Sequence, residues 1–332
     1  MVRVFWLPFL ITDKKMKILL VLLGILLGVL MAMEMGLRLG WGLGSPVLYL
    51  ADSDIGYLLA PNQKTRRYGN LININQYSMR SGNISPLPTA GTRRVMLLGD
   101  SLVNGGWWTD QSQTLSALMG RQLAAAGSGG NWEVLNVAVN SWGPPNQLAY
   151  LQRFGLFGSE VIVLLINTDD LFSGTPNPGV VGRDRNYPNI SPRLALIEVF
   201  NRYLKPSAPM PTVAQPQPSD PVGYNLEKIQ RIQALARQND ADLILAMTPL
   251  LREVGEPGSR DYEIKARQRL MEVAQAENWV YIDFLPIFKA AAQPETLYRD
   301  HIHLTPSGNQ LVSETLSQRL TEAWKIQNKN RS

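Results

Sequence analysis

The chain has 332 residues, a net charge of +5 and no cysteine. Its length suits one large α/β domain with additions, or two domains, and its apolar content excludes wholesale disorder. The missing thiols exclude disulfides, thiolate metal sites, a cysteine nucleophile and a lipidated N-terminal cysteine, and the basic pairs Arg66–Arg67 and Arg93–Arg94 stand scattered among acids, without the stripe that binds nucleic acid.

The first element in the chain is an apolar run, Ile18 to Met33 (ILLVLLGILLGVLMAM), preceded by Lys14, Lys15 and Lys17. The sequence MGLRLGWGLG follows Glu34 and extends the helix if Glu34 and Arg38 sit near the interface. This predicts a transmembrane segment over 18–40. Met31-Ala32-Met33 is a poor cleavage site, so an uncleaved signal anchor is favoured over a cleaved signal peptide. The lysines place residues 1–17 in the cytoplasm and the body outside the cytoplasmic membrane, as a single-pass protein.

Residues 41–92 read as a lead-in of weak regular pattern, ending in the loop Pro86-Leu87-Pro88. From 93 to 326 the pattern alternates. Buried-strand runs are Arg94–Leu98, Glu133–Val139, Val161–Ile166, Leu243–Thr248 and Val280–Phe284. Helical spacing covers Ser112–Ala126, Pro144–Phe154, Leu226–Gln238, Tyr262–Glu277 and Gly308–Lys325. A proline-rich insert at about 173–222 breaks the rhythm, with Pro206, Pro209, Pro211, Pro216, Pro218 and Pro221 and a short helix near Leu194–Tyr203. Residues 327–332 form a tail. Strands alternating with helices predict an α/β fold with a parallel sheet covered on both faces.

In such a sheet the site lies at the carboxyl ends of the strands. Strand one ends there in Gly99-Asp100-Ser101, and Asp300-His301-Ile302-His303 stands near the C-terminus. Serine attacks only when a base takes its proton, and imidazole suits that task. His301 and His303 are the only histidines, so imidazole chemistry has one place to occur. Asp300, three residues before His303, can reach one ring nitrogen while the other faces Ser101. No metal or other cofactor is expected.

The stretch VMLLGDSLVNGG resembles the first block of GDSL/SGNH hydrolases, and DHIHLTPSG resembles their last block. The resemblance spans about Arg94 to Ala323. It implies a flavodoxin-like three-layer α/β/α sandwich with Ser101 as nucleophile and Asp300 and His303 completing the triad. The lead-in, with NINQYSMR, is more loosely similar to membrane-anchored relatives tied to cell-surface glycans. The family builds its oxyanion hole from the nucleophile turn, a glycine after strand two and an asparagine after strand three. Aligned from Asn136, the glycine position falls on Ser141, whose backbone N–H survives the change. The asparagine position falls on Thr168, with Asn167 one residue early; the two cannot serve equally, because one step along a strand reverses side-chain direction. Asp169 and Asp170 read as loop or cap residues before an acid pair. Trp107 and Trp108 read as packing or as a sugar-stacking platform, and Asn104 as a turn residue or a substrate contact.

The resemblance implies an esterase acting on acyl, foremost O-acetyl, esters of a surface polysaccharide. The alternatives are a polysaccharide O-acetyltransferase with the same triad and a non-catalytic scaffold of an export assembly. The implied partners are an acylated glycan or other ester, the cytoplasmic membrane and polysaccharide-biosynthesis proteins.

Overall fold

A computed structural model describes residues 13–126, 131–205 and 218–331. Helix α1 (Asp13–Trp41) is 29 residues long, and about 43 Å at 1.5 Å per residue. Its side chains from Ile18 to Met33 touch none of the protein core, and Lys14–Trp41 has the length and apolarity of a membrane span.

The lead-in is more regular than its sequence suggests. It forms two antiparallel hairpins, β1 (Tyr49–Asp52) with β2 (Gly56–Leu59) and β3 (Gln63–Arg67) with β4 (Asn70–Ile74). Strands of four or five residues are too short to display an alternation. Their buried side chains, Tyr49, Tyr57, Leu59, Ile72 and Ile74, pack into the main core rather than a core of their own.

Strands β5 (Thr92–Gly99), β6 (Asn131–Ala138), β7 (Val161–Asn167), β8 (Asp242–Thr248) and β9 (Val280–Asp283) form one parallel sheet in the spatial order β6-β5-β7-β8-β9. This is the flavodoxin-like doubly wound order, whose topological switch point lies between β5 and β7. Side chains alternate between two apolar clusters. Val95, Leu97, Val163, Leu165 and Ile244 meet α3 (Leu115–Ala125) and α10 (Pro306–Arg331). Met96, Leu98, Ile162, Leu164 and Leu245 meet α4 (Pro144–Phe154), α6 (Pro221–Gln238), α8 (Asp261–Ala276) and the hairpins. Burial on both faces is why these strands read as unbroken apolar runs. Among the described residues, four short helices add to the body: α2 (Ser101–Asn104), α5 (Ala195–Val199), α7 (Leu251–Val254) and α9 (Phe284–Lys289).

Within the insert, α5 runs into a wider turn, Phe200–Leu204, closed by Lys205 N donating to Phe200 O at 2.8 Å. Pro206, Pro209, Pro211 and Pro216 lie outside the described residues, as does most of the expected cytoplasmic segment. Pro221 opens α6, and α10 continues to Arg331 through the stretch expected as a tail.

Candidate active site

The nucleophile turn begins where β5 ends. A Cβ on Gly99 would lie 2.5 Å from Val103 Cγ2 and 2.8 Å from the Leu165 carbonyl, so the strand-to-helix turn closes only with glycine there. Asp100 then caps α2, its Oδ1 accepting from Leu102 N at 2.9 Å. Ser101 is the first residue of α2, and its N–H makes no hydrogen bond among the described residues, as suits a helix N-terminus.

Behind the turn, Arg80 is fully buried and donates to the carbonyls of Asn104 (2.6 Å), Gly106 (2.5 Å) and Thr109 (2.5 Å). Burial pulls its pKa down to about 10, still cationic at neutrality. Arg80 lies in the NINQYSMR stretch, and no pattern of spacing marks it as support for a loop some 25 residues on. Asn104 holds the turn, its Nδ2 donating to Ala138 O (2.9 Å) and its Oδ1 accepting from Gly106 N (3.2 Å), and it also lines the cavity beside Ser101.

The base arrives from the other end of the chain. Arg299 N donates to His303 O (2.8 Å), and Tyr298 bridges Leu304, closing a tight loop between them. Inside it, Asp300 Oδ1 accepts from Ile302 N (3.0 Å) and His303 N (2.8 Å), and Oδ2 lies 2.8 Å from His303 Nδ1. His303 Nε2 lies 2.9 Å from Ser101 Oγ. Ser101 and the Asp300–His303 pair, the serine and histidine 202 residues apart in the chain, thus form one hydrogen-bonded run. Partial burial raises the Asp300 pKa, but these N–H donors and His303 outweigh it and hold the carboxyl below its usual range. Trp108 packs on the His303 ring, centroids 4.5 Å apart, and the Arg299 guanidinium lies over both Trp107 (5.4 Å) and Trp108 (5.2 Å). His301 is 80% exposed and lines the same cavity, but makes no hydrogen bond with Ser101.

The oxyanion side departs from expectation. Thr168 does not face the site: it is fully buried, and its hydroxyl donates to Glu253 Oε2 at 2.5 Å and accepts from Arg267 at 3.1 Å. The cause is strand register. Asn167, the last residue of β7, points to the Ser101 side, so Thr168 points away toward α7 and α8. Asn167 is itself committed, its amide donating to Asp100 Oδ2 and Asp170 Oδ2, both at 3.0 Å. Burial raises both carboxyl pKa values, Asp170 the further because the nearby charge of Asp100 opposes its ionisation. Asp170 also caps the following 3₁₀ turn by accepting from Asn167 N (2.9 Å), while Asp169 stays exposed at the cavity wall.

Ser141 holds φ +60°, a left-handed conformation that glycine adopts more readily. Its N–H makes no hydrogen bond among the described residues. Two tyrosines clamp this turn. Tyr57 Oη donates to Asn140 O (3.0 Å) and Ser141 O (3.1 Å), and Tyr187 Oη donates to Ser141 Oγ (2.9 Å). Tyr57 comes from the second lead-in strand and Tyr187 from the insert, and neither was visible as a site residue in the sequence.

Ser101, Ser141, Asn167, Asp169, Trp107, Trp108 and His303 line one cavity of about 560 Å³, roofed by Tyr49, Ile72 and Ile74 of the hairpins and by Tyr187 and Arg202 of the insert. A hydroxyl within reach of an imidazole, a carboxylate behind that imidazole and two unengaged N–H groups are the parts that acyl transfer requires.

Among solved structures, the chain is similar to a lipase/acylhydrolase from Enterococcus faecalis (16% identity, TM-score 0.45, covering 70% of this chain and 96% of that one). It is also similar to a GDSL-like lipase from Bacteroides thetaiotaomicron (12%, 0.43, 72% and 93%) and to a catalytic mutant of an acetylxylan esterase from Geobacillus stearothermophilus (11%, 0.44, 68% and 93%). No curated protein matches. The model of the GDSL-like lipase/acylhydrolase family matches residues 97–311, more than half of the chain, from β5 into α10. The protein therefore belongs to the GDSL-like lipase/acylhydrolase family of serine ester hydrolases.

Proposed function

We propose that the protein is an extracytoplasmic esterase, held to the cytoplasmic membrane by α1, that cleaves O-acetyl or other acyl esters of a surface polysaccharide through an acyl-Ser101 intermediate. The observation that carries the chemistry is the hydrogen-bonded run Asp300–His303–Ser101 opening on the cavity. His303 Nε2 takes the Oγ proton as Oγ adds to the ester carbonyl carbon. Asp300 holds the other ring proton on Nδ1 and balances the imidazolium. The N–H groups of Ser101 and Ser141 meet the charge that develops on the carbonyl oxygen. The alcohol leaves with the proton from Nε2. Water, giving a proton to His303, then releases the acid and regenerates Ser101.

A glycan ester is favoured by the mixed lining of the cavity, which combines the aromatic Trp107 and Trp108 with the polar Asn140 and Asp169. The lysines before α1 support a body outside the membrane, near polysaccharide-biosynthesis proteins. One feature favours a second reading, acyl transfer to a glycan hydroxyl: Tyr187 of the insert roofs the oxyanion turn, a position from which it limits water at the acyl-enzyme.

Partitioning tests these readings. The full chain is loaded with an acetyl donor, an oligosaccharide is titrated in, and free acetate is compared with acetylated sugar. Acetate as the sole product at every acceptor concentration supports the esterase. Transfer that rises with acceptor replaces it by the transferase. A chain that neither releases nor transfers acetyl is the non-catalytic scaffold.

A further inference from the structure

The C-terminal end of α1 is bonded to the insert at a level that can be read from the sequence. A hydrocarbon layer takes about 20 helical residues. Counted from Ile18, just after Lys17, it ends near Leu37, so Glu34 and Arg38 stand at its outer boundary. These are the residues that hold the insert. Glu34 accepts from Ala195 N (2.8 Å) and Leu196 N (3.1 Å), and Arg38 donates to Arg193 O (2.8 Å) while pairing with Glu34 at 2.5 Å. The start of α5 therefore lies at the depth of Glu34, about 10 Å to the membrane side of Trp41, seven residues further along α1.

The outward face of that segment is apolar. Leu194, Ile197, Phe200 and Leu204 recur at helical spacing, and all are exposed, Leu204 at 69%. The inward face carries Ala195 and Glu198, with Glu198 in a buried ion pair with Arg67 (2.5 Å) and accepting from Gly44 N (2.6 Å). A surface helix of a water-bathed protein has the opposite arrangement. Exposed Arg193 and Lys205 flank the patch.

We infer that Leu194–Leu204 is a foot seated in the headgroup layer beside α1, so that the bilayer binds the catalytic body directly as well as through the anchor. This rests on the reading of α1 as a membrane span. The apolar face enters the acyl boundary, and Arg193 and Lys205 meet anionic headgroups. Arg202 of the same foot lines the active-site cavity, and so does Pro46, five residues beyond Trp41 and at most about 18 Å from it. The foot thus holds the cavity close to the membrane surface.

Because the chain has no cysteine, single labels can be placed at will. Full-length Leu26→Cys, Phe200→Cys, Leu204→Cys and Gln318→Cys variants, each carrying an environment-sensitive fluorophore, are reconstituted in vesicles of phosphatidylcholine and phosphatidylglycerol. Nitroxide lipids labelled at the headgroup or at the chain end act as quenchers. The expected result is that the Phe200 and Leu204 labels lose about half their emission to the headgroup quencher. Leu26, in mid-anchor, responds to the chain-end quencher and Gln318, exposed on α10, to neither. Foot labels that behave like Gln318 while Leu26 is quenched overturn the foot and leave the anchor, including the case in which another protein covers the patch. An unquenched Leu26 removes anchor and foot together.

Discussion

The two sides of the nucleophile are built differently. On the base side, Asp300 and His303 belong to one short loop, and the backbone N–H groups of Ile302 and His303 orient the carboxylate that orients the ring. On the side we propose for the oxyanion, the Ser141 turn is clamped by Tyr57 from a lead-in hairpin and Tyr187 from the insert, and Asn167 is held between Asp100 and Asp170. A local loop carries its geometry with its motif. A turn clamped from two remote segments depends on the whole body being folded, and its residue types can drift as long as its N–H survives.

The largest effects are expected on the base side. Ser101→Ala and His303→Ala should each lower kcat/KM for a short-chain ester by about 10⁴-fold or more, whereas His301→Ala should stay within about threefold of the parent. Equal losses from the two histidine variants would contradict the assignment. Asp300→Asn should cost about 10³- to 10⁴-fold, because an amide favours the wrong tautomer of His303. Since the Asp300 carboxyl is held below its usual range, its contribution is present above that range and lost only as pH falls through the lowered value.

Substitutions on the oxyanion side sharpen the contrast. Ser141→Gly keeps both the N–H and the left-handed turn, so kcat should stay within about fivefold. Ser141→Val, unsuited to φ +60°, should lower kcat by about a hundredfold. Parallel kcat and circular-dichroism measurements on the pair separate turn geometry from unfolding. Thr168→Val should leave kcat/KM within about threefold yet destabilise the fold by about 1–2 kcal/mol, since buried Glu253 loses a donor. A hundredfold loss of kcat in a folded Thr168→Val protein would return Thr168 to the oxyanion hole.

The smallest effect is on the pH dependence of stability. Asp170 keeps its proton in the native state at a pH where the unfolded chain has released it. Stability from this group therefore falls as pH rises from the ordinary carboxylate range through the raised native value. Asp170→Asn should flatten that slope in urea melts across the same window, and an unchanged slope would place the proton elsewhere.

Much of this architecture was legible in the sequence. The five core strands and their helices read correctly because burial on both faces leaves unbroken apolar runs, and Ser101, Asp300 and His303, which the structure brings into one hydrogen-bonded run, could be singled out because each sits in a compact motif at a strand end or tight loop. The hairpins were not legible, since four-residue strands carry no period and their side chains find partners only in the main core. The sequence left Asn167 and Thr168 open as alternatives because they differ by one alignment step, enough to turn a side chain to the opposite face; the structure turns Asn167 to the Ser101 side and Thr168 away from it. The left-handed turn at Ser141 was hidden because serine does not advertise positive φ as glycine does, and the tyrosine clamp because its members come from opposite sides of the motif in sequence.

The proposed mechanism requires Ser101, activated by His303, to become covalently acylated. The most direct measurement treats the full-length protein in detergent with a fluorophosphonate and maps the adduct by peptide mass spectrometry. The expected result is a single adduct on Ser101, retained in His301→Ala and lost in His303→Ala. An unlabelled Ser101 in a protein that still hydrolyses short-chain esters would contradict it.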